Sequence, residues 1–562
     1  MSDFQPTLTG FDTDPDATTI LPGTPAAVSP AGVPNPKADI AALDELERHL
    51  YAHRYAANGM AAYGAAIDPA AATADRGEAL AILQEEDQAL LCSPETGALL
   101  DRLAAAQALL SPIQAAQVRI LQRDRASLVD VPPEVQSAFT RLTTEADDVW
   151  RHAKLAGDWK AFEPYLDRIV EQMRQMAQYR NPSADAYDVW LDEFEHDTNQ
   201  AFYDRFFGQV KEVVVPLLAD VRASRRPAGR NPFQGRFDTS RQWELARDLV
   251  RLEGLDERKV FLTSTEHPFS EGLTSNYAIV AAHVREDDVL ANVFTMLHEG
   301  GHALYEMGVD SALDRTSLKG GTSSGMHEAQ SRFFENYVGR SLAFAPRLNE
   351  VMARQFRGQL GRATPNQLYV TVNRVEAQPI RTEADELTYP LHVLVRYEIE
   401  QLLLSGEAKA ADVPRLWTQK YHDYLGINVP NDARGALQDT HWSGGLIGYF
   451  PTYAYGSAIG AQLKATMVRE GMDFDGVCAS GDLTPIHAWL RDRIWRFGRS
   501  RDTSELILDA CGEPFSPAYF TDYLTEKFSA LYGLQERGTS DTAAGAGPRQ
   551  VDPGGPSWKG ST

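Results

Sequence analysis

Hydrophobic residues along most of the 562-residue chain recur at spacings of three and four positions. The series Leu43, Leu46 and Leu50 near the N-terminus is one example. This period matches the 3.6 residues of a helical turn and predicts amphipathic helices. Proline-bearing pairs such as Ser111-Pro112 separate the periodic stretches, as boundaries between helices do. The pattern therefore predicts a mainly α fold.

The best candidate for a β-strand is the segment 275–284, a short run that contains Tyr, Ile and Val. A polar turn, Arg285 to Asp288, follows it, and its acidic residues can cap a helix. The next apolar stretch, from about Val289 to Met307, is typical of that helix. We therefore expect a small sheet beside this helix.

Both ends of the chain differ in composition from the periodic middle. Residues 1–38 are rich in Pro, Thr, Asp, Gly and Ala, and residues 537–562 are rich in small polar residues, Gly and Pro. Such segments bury too little apolar surface to fold alone, so they predict two disordered tails. Residues 39–536 are then expected to form one large domain.

The chain is acidic, with 78 Asp and Glu against 54 Lys and Arg and a formal net charge of −24. This charge disfavours nucleic acid and anionic membranes as partners. The sequence has neither a long apolar run typical of a membrane span nor a basic, apolar secretion signal, so a cytoplasmic protein is expected. Its three scattered cysteines predict no disulfide framework and no cysteine-based zinc finger.

The predicted helix after the strand contains the sequence His298-Glu299-Gly300-Gly301-His302. Residues four apart share one face of a helix, so both histidines can bind one zinc ion. Glu299 is placed to act as a general base on water. The two glycines are unfavourable in a helix interior by about 1 kcal/mol each. They indicate that another backbone or a substrate approaches this helix closely.

Zinc at a catalytic site needs a third protein ligand and an open position. Tyr305 and Gly308 exclude the metzincin pattern, which requires Gly and His at those positions. Three donors spaced four residues apart on one straight helix cannot easily reach the same ion, so Glu306 is not expected to bind it together with both histidines. We interpret Glu306 as an exposed acid or as an acid behind the ligands. Glu328, on a second amphipathic helix after a glycine-rich loop, is the better candidate. The residues alone leave open whether it is a ligand or a solvated acid.

Six motifs in order, over about residues 40–535, resemble those of the Taq-type metallocarboxypeptidases. They match the family's HPF, HEXXH, HES(Q/G), I(R/A)xxA(D/E) and GxxQDxHW motifs and the tyrosine-bearing stretch after them. In this chain they are His267-Pro268-Phe269, His298 to His302, His327 to Gln330, Ile380 to Glu386, Gly435 to Trp442, and Gly448 to Tyr453. Two departures stand out. Ala329 replaces the serine of the third motif, and residues 276–280 lack the Asp and Arg of the family's DxRxT motif.

The resemblance implies a zinc carboxypeptidase that hydrolyses the C-terminal peptide bond of peptides with a free C-terminus. It implies one Zn²⁺ per chain, or another divalent ion such as Co²⁺, held by His298, His302 and Glu328, with Glu299 as the general base. The domain 39–536 would be a helical catalytic domain with a long substrate groove. The family also commonly forms homodimers, so a homodimer is expected.

Further roles follow from the same motifs. His441, Tyr449 and Tyr453 are candidates to stabilise the oxyanion, although each tyrosine could equally be a packed aromatic residue. Arg381 is the candidate for binding the substrate carboxylate, because a guanidinium forms a fork that matches it. The alternative is a surface pair between Arg381 and Asp385. His267 is expected either to bind substrate or to shape a turn.

Two other functions stay open at this stage, because the metal helix alone does not separate them from a carboxypeptidase. One is a zinc oligopeptidase that cuts internal bonds. The other is a helical binding protein with an impaired site, which the altered DxRxT segment would favour. We also expect Asp385 or Glu383 to orient one of the metal-binding histidines.

Overall fold

The computed structural model describes residues 36–66, 72–224, 231–265 and 268–534. Most of these residues are helical, and three strands form one small sheet. The prediction of a large, mainly α fold with a small sheet is confirmed. The predicted C-terminal tail, 537–562, lies outside the described residues. So does the predicted N-terminal tail, 1–38, except for residues 36–38, which belong to the first helix.

The helices are listed here in chain order. They are α1 (Pro36–Ala66), α2 (Thr73–Cys92), α3 (Pro94–Ala105), α4 (Pro112–Ala126), α5 (Pro133–Ala156), α6 (Trp159–Arg180), α7 (Ala186–Phe194), α8 (Gln200–Ala223), α9 (Thr239–Leu252), α10 (Val289–Gly308), α11 (Ser324–Arg332), α12 (Ala345–Gln355), α13 (Arg357–Leu360), α14 (Pro365–Val372), α15 (Tyr389–Ser405), α16 (Val413–Leu425), α17 (Phe450–Arg469), α18 (Phe474–Ser480), α19 (Thr484–Arg493), α20 (Thr503–Cys511) and α21 (Ala518–Tyr532). A π-helix, Phe333–Gly339, continues α11 directly.

The sheet consists of β1 (Val260–Ser264), β2 (Phe269–Thr274) and β3 (Tyr277–Ala282), in the order β1-β3-β2. The central strand β3 is parallel to β1, with Val260 opposite Ala278, and antiparallel to β2, with Phe269 opposite Ala281. Residues 278–282 are buried, which explains the continuous apolar run of this strand. The predicted strand is therefore confirmed as β3, and the sequence did not predict β1 or β2.

Helix α10 lies in the middle of the main core, between the sheet and other helices. Asp288 caps its first turn by accepting a hydrogen bond from the backbone N–H of Ala291 at 2.9 Å, as the acidic turn predicted. Helix α10 packs on β2 and β3 of the sheet and also on α9 and α11. Helix α17 covers α11 in turn. The sheet and these helices hold α10 and α11 in fixed positions.

The N-terminal helices α1, α3 and α4 pack around a smaller apolar cluster, in which Leu43, Leu46 and Leu50 are buried. This burial agrees with the periodicity of the first helix. Among the described residues, no helix combines the length and the apolar character needed to cross a membrane.

Candidate active site

Helices α10 and α11 touch through their backbones at Gly301. A Cβ atom on Gly301 would lie 2.6 Å from the carbonyl oxygen of Gln330 and 2.8 Å from the Cα of Ser331. Gly300 faces the buried carboxyl group of Glu253, whose Oε2 would lie 2.0 Å from an added Cβ. The close approach expected from the two glycines is therefore present, and it brings the second helix against the first.

This contact places three potential metal ligands together. The Nε2 atoms of His298 and His302 each lie 3.6 Å from Oε2 of Glu328. Zinc bound tetrahedrally at 2.0–2.1 Å to its ligands separates them by about 3.4 Å. The donor types and their spacing therefore fit one zinc-like divalent ion, and the three side chains are largely buried.

Glu335 of the π-helix supports His298 from behind. Its Oε2 lies 3.0 Å from Nδ1 of His298 and accepts a hydrogen bond from Arg332 at 3.0 Å, while Oε1 accepts one from Arg340 at 3.0 Å. Burial opposes ionisation, yet Arg332 and His298 hold the pKa of Glu335 far below its usual value. The carboxylate therefore favours a proton on Nδ1 of His298 and leaves Nε2 free to bind a metal.

His302 is supported by a chain of polar groups. Its Nδ1 lies 2.6 Å from Nδ1 of His327, whose Nε2 lies 2.8 Å from Oε1 of Glu306. Lys319 donates to Oε2 of Glu306 at 2.7 Å. Burial acts to raise the pKa of Glu306, but His327 and Lys319 lower it to about 2. Glu306 is thus a largely buried acid behind the ligands. Of the two predicted alternatives, an exposed acid and an acid behind the ligands, the structure shows the second.

Neutral histidine is the form that binds metals, and His302 is held in that form. Burial and the neighbouring rings of His327 and His298 keep the pKa of His302 well below its usual value. With Nε2 as the lone-pair donor, Nδ1 of His302 carries a proton that it can donate to His327. His327 can then donate its own Nε2 proton to Glu306, so every hydrogen bond in the chain is satisfied.

Glu299 lies beside this cluster and lines the same cavity. Burial raises its pKa, while the charge of His298 and a hydrogen bond with Ser270 of β2 act in the opposite direction. A carboxylate with a raised pKa beside a metal site is suited to accept and return a proton. Ser270 also explains how β2, which the sequence did not predict, takes part in the site.

Tyr449 and Tyr453 line the cavity together with the metal-ligand cluster. His441 lies behind Tyr453, with its Nε2 3.0 Å from the tyrosine hydroxyl, and its ring packs on Phe450. Burial and the charge of Arg381 lower the pKa of His441 to about 3, so the ring is neutral. Of the three candidate oxyanion donors, the two tyrosines therefore face the cavity directly and His441 contacts one of them.

Arg381 is buried and does not pair with Asp385. Its Nε donates to Oδ1 of Asp439 at 3.0 Å, and its Nη1 donates to the hydroxyl of Tyr389 at 3.1 Å. The ring of Tyr453 lies 4.9 Å from the guanidinium carbon. The predicted surface pair is wrong, because residues 380–386 and 435–442 meet in the interior.

Asp385 instead stabilises the start of α15. It accepts hydrogen bonds from the backbone N–H and the hydroxyl of Thr388, whereas Glu383 is exposed. The expectation that one of these acids orients a metal-binding histidine is wrong, since Glu335 and His327 occupy those places. His267 lies outside the described residues, and its neighbours Pro268 and Phe269 line the cavity.

The cavity has a volume of about 1220 Å³, more than the 300–1,000 Å³ typical of sites for small ligands. Its walls come from α4, the segment 180–199, β2, α10, the loop 319–324, α11 and α17. A cavity of this size leaves room for a ligand larger than a typical small molecule.

Fold and site together define a class, the helical metallopeptidases with an HEXXH motif and a glutamate as third candidate ligand. Comparison with known proteins then identifies the family. The sequence model of the family described as Carboxypeptidase Taq (M32) metallopeptidase matches residues 46–528. The chain belongs to this family, as its motifs predicted, and is a metallocarboxypeptidase.

Individual relatives agree with this assignment. Carboxypeptidase 1 of Bacillus subtilis is 36% identical over 408 residues, which cover 72% of this chain and 81% of the relative. Thermostable carboxypeptidase 1 of Thermus thermophilus is 32% identical over 462 residues, covering 79% and 89% of the two chains. The crystal structure of the M32 carboxypeptidase from Deinococcus radiodurans R1 superimposes with a TM-score of 0.85 at 32% identity. It covers 88% of this chain and 100% of that one.

Proposed function

We propose that this metallocarboxypeptidase uses zinc held by His298, His302 and Glu328 to remove single residues from the C-termini of peptides. The observation that carries the proposal is the 3.6 Å spacing of the Glu328 oxygen from each histidine nitrogen. Two imidazoles and one carboxylate are a common catalytic zinc set, although Co²⁺ has similar ligand preferences. A bound zinc ion supplies Lewis acidity to the substrate carbonyl and to water at the site.

Glu299 is the proposed general base. It accepts a proton from the attacking water while the water oxygen bonds to the carbonyl carbon. It then delivers that proton to the amide nitrogen as the C–N bond breaks, which leaves a free amine and a new carboxylate. Its raised pKa, caused first by burial, supports the return of the proton.

Tyr449 and Tyr453 are the proposed donors to the oxygen that becomes negative during this attack. Both hydroxyls belong to side chains that line the cavity beside Glu328 and Glu299. His441 assists by orienting Tyr453, since its Nε2 lies 3.0 Å from the tyrosine hydroxyl. We assign His441 this supporting part in catalysis.

Arg381 is the proposed recognition group for the substrate carboxylate. Arg381 and Arg396 both pair with the single carboxylate of Asp439, and His441 is neutral, so this buried group has an excess positive charge. A guanidinium has five N–H donors, and its contacts with Asp439 and Tyr389 leave donors for an anion. A carboxylate at the end of a peptide satisfies both the charge and the donors.

The part proposed for His267 rests on its place in the chain. It directly precedes Pro268 and Phe269, which line the cavity, and we assign it a part in binding the substrate backbone. The expected cytoplasmic location and homodimer are also proposals, and the family resemblance supports them. Light scattering of the purified chain tests the dimer, and a monomeric mass would contradict it.

Paired peptides test the proposed exopeptidase activity. One peptide has a free C-terminus and its twin ends in an amide. Wild-type protein should release C-terminal residues from the first and leave the second intact, and Glu299→Gln should lose most of this activity. Equal cleavage of both peptides at internal bonds would identify an oligopeptidase instead. Full activity of Glu299→Gln would contradict the proposed base.

A further inference from the structure

A buried carboxylate outside the proposed catalytic set lies against the start of α11. Glu195 directly follows α7, and it is only 1% exposed. Its Oε2 accepts a hydrogen bond from the backbone N–H of Gly325 at 3.0 Å. The hydroxyls of Ser323 and Thr503 lie 2.8 Å from each other, and both act to lower the pKa of Glu195. Glu195 is therefore joined to the residues that begin α11.

Gly325 makes this contact possible. A Cβ atom there would lie 2.3 Å from Oε2 of Glu195 and 2.9 Å from Cδ1 of Tyr455. Any larger residue would push the carboxylate away from the helix. The segment thus brings an acid into direct contact with the first turn of α11, where backbone N–H groups have no partner within the helix.

The contact is electrostatically matched. The N-terminus of a helix has a partial positive charge, and a carboxylate beside it stabilises the helix. Ser323 accepts the N–H of Met326, and Glu195 accepts that of Gly325, so two different groups hold the same turn. Glu328 follows Gly325 by three residues, about one turn, so a shift of this turn moves the Glu328 carboxylate.

The other side of Glu195 leads to the substrate cavity. Residues 196–199, which follow it directly, line the cavity wall. The Thr198 hydroxyl donates to the backbone carbonyl of Glu195 at 2.7 Å, which closes this turn. Glu195 therefore connects the wall of the cavity to the helix that contains the third candidate ligand.

We propose that Glu195 is a positioning residue that fixes the first turn of α11 and thereby places Glu328 relative to His298 and His302. This inference rests on the proposed ligand role of Glu328. Glu195 acts through the helix and touches neither the ligand atoms nor the substrate.

The charge of Glu195 is the part of this role that depends on pH. The titratable groups that face it are Asp502 at the start of α20, Tyr203 of α8, Tyr455 of α17 and Tyr305 of α10. Burial raises the pKa of Glu195 to about 7, against the hydrogen bonds from Thr503, Ser323 and Gly325. The carboxylate is therefore neutral in mildly acidic solution and negative above neutrality. Burial disfavours the negative form, and the attraction to the N-terminus of α11 acts only on that form.

The test compares Glu195→Gln and Glu195→Ala with wild type, using exposed Glu145→Gln as the control. Zinc affinity is measured by chelator competition, together with kcat, KM and the unfolding temperature. Glu195→Gln keeps an oxygen that can accept the Gly325 N–H but loses the charge, so its zinc affinity should fall about threefold to tenfold. Glu195→Ala loses both the acceptor oxygen and the charge, so its zinc affinity should fall about 10- to 100-fold. In both variants kcat should fall by a larger factor than the factor by which KM changes.

The pH profile separates positioning from simple packing. The difference in zinc affinity between wild type and Glu195→Gln should appear above about pH 7 and disappear well below it. If both variants bind zinc and turn over like wild type at every pH, and only their unfolding temperature falls, the inference is overturned. Should Glu195→Ala not fold, the isosteric Glu195→Gln decides alone.

Glu328→Ala distinguishes this inference from the function on which it rests. If Glu328→Ala binds zinc as tightly as wild type, the ligand assignment fails. If Glu328→Ala loses zinc while the Glu195 variants keep it, the ligand assignment stands and the role of Glu195 is overturned.

Discussion

The substitution Gly301→Ala tests whether the backbone contact between α10 and α11 sets the geometry of the site. The new methyl group would lie 2.6 Å from the carbonyl oxygen of Gln330, whereas ordinary contact begins at 3.4 Å. The obstacle is backbone, which cannot rotate away as a side chain can. The two helices must therefore separate locally by about 0.8 Å.

The two effects of this separation differ in size. Overpacking of a core costs about 1–3 kcal/mol, and the better helix propensity of alanine offsets about 1 kcal/mol of it, so the loss of stability should be modest. The histidines lie on α10 and Glu328 on α11, so the 3.6 Å spacing of the donors should widen. Misplacement by about 1 Å lowers catalytic rates about 100-fold, and we expect kcat/KM to fall by this order.

The assay measures kcat/KM on a peptide with a free C-terminus, zinc affinity, and the free energy of unfolding in urea. Gly208→Ala is the matched control, because Gly208 lies within α8 and an added Cβ meets nothing within 4 Å. It should raise stability by up to about 1 kcal/mol and leave kcat/KM unchanged. If Gly301→Ala folds and keeps kcat/KM within a factor of about three, the contact does not set the site geometry.

Three further predictions concern groups behind the site. Glu335→Gln removes the carboxylate that orients His298, so zinc affinity measured by chelator competition should fall about 10- to 100-fold. Arg381→Lys keeps the charge but loses the planar fork, so the ratio of cleavage rates for free and amidated peptides should fall toward one. Burial raises the pKa of Glu400 from 4.5 to about 7, against hydrogen bonds from Trp442, Gly448 and Tyr187. Its contribution to stability is therefore present below pH 4.5 and lost as the pH rises through 7. Linkage gives a decrease of about 3 kcal/mol in the free energy of unfolding as the pH rises from 4.5 to 8. Urea unfolding of Glu400→Gln should not show this decrease.

Each of these predictions has a clear contrary result. Wild-type zinc affinity in Glu335→Gln would mean that the carboxylate does not orient His298. An unchanged preference for free C-termini in Arg381→Lys would remove Arg381 from substrate recognition. A wild-type pH dependence in Glu400→Gln would assign the loss of stability to other groups.

The ligand pair and the close helix contact could be predicted from the sequence because both depend on local spacing. His298 and His302 are four residues apart, and two consecutive glycines are unfavourable in a helix unless something approaches them. The position of β3 could equally be predicted from its short run of Tyr, Ile and Val. These features need no knowledge of how distant segments meet.

The supporting groups could not be predicted, because they depend on tertiary contacts. Glu335 follows Glu328 by seven residues, which places both near one helix face, but acids on solvated faces share that spacing. Strand β2 contains Ser, Glu and Gly and forms by pairing with β3 and packing on α10. Asp439 meets Arg381 across 58 residues of sequence, and no local pattern indicates such a partner.

The central claim is that a divalent ion held by His298, His302 and Glu328 is required for release of C-terminal residues. The most direct measurement follows bound zinc and residue release in the same samples while a chelator removes the metal stepwise. We predict about one zinc ion per chain at the start, loss of activity in proportion to loss of zinc, and recovery when zinc is restored. Undiminished release of C-terminal residues from protein without bound metal would contradict the claim.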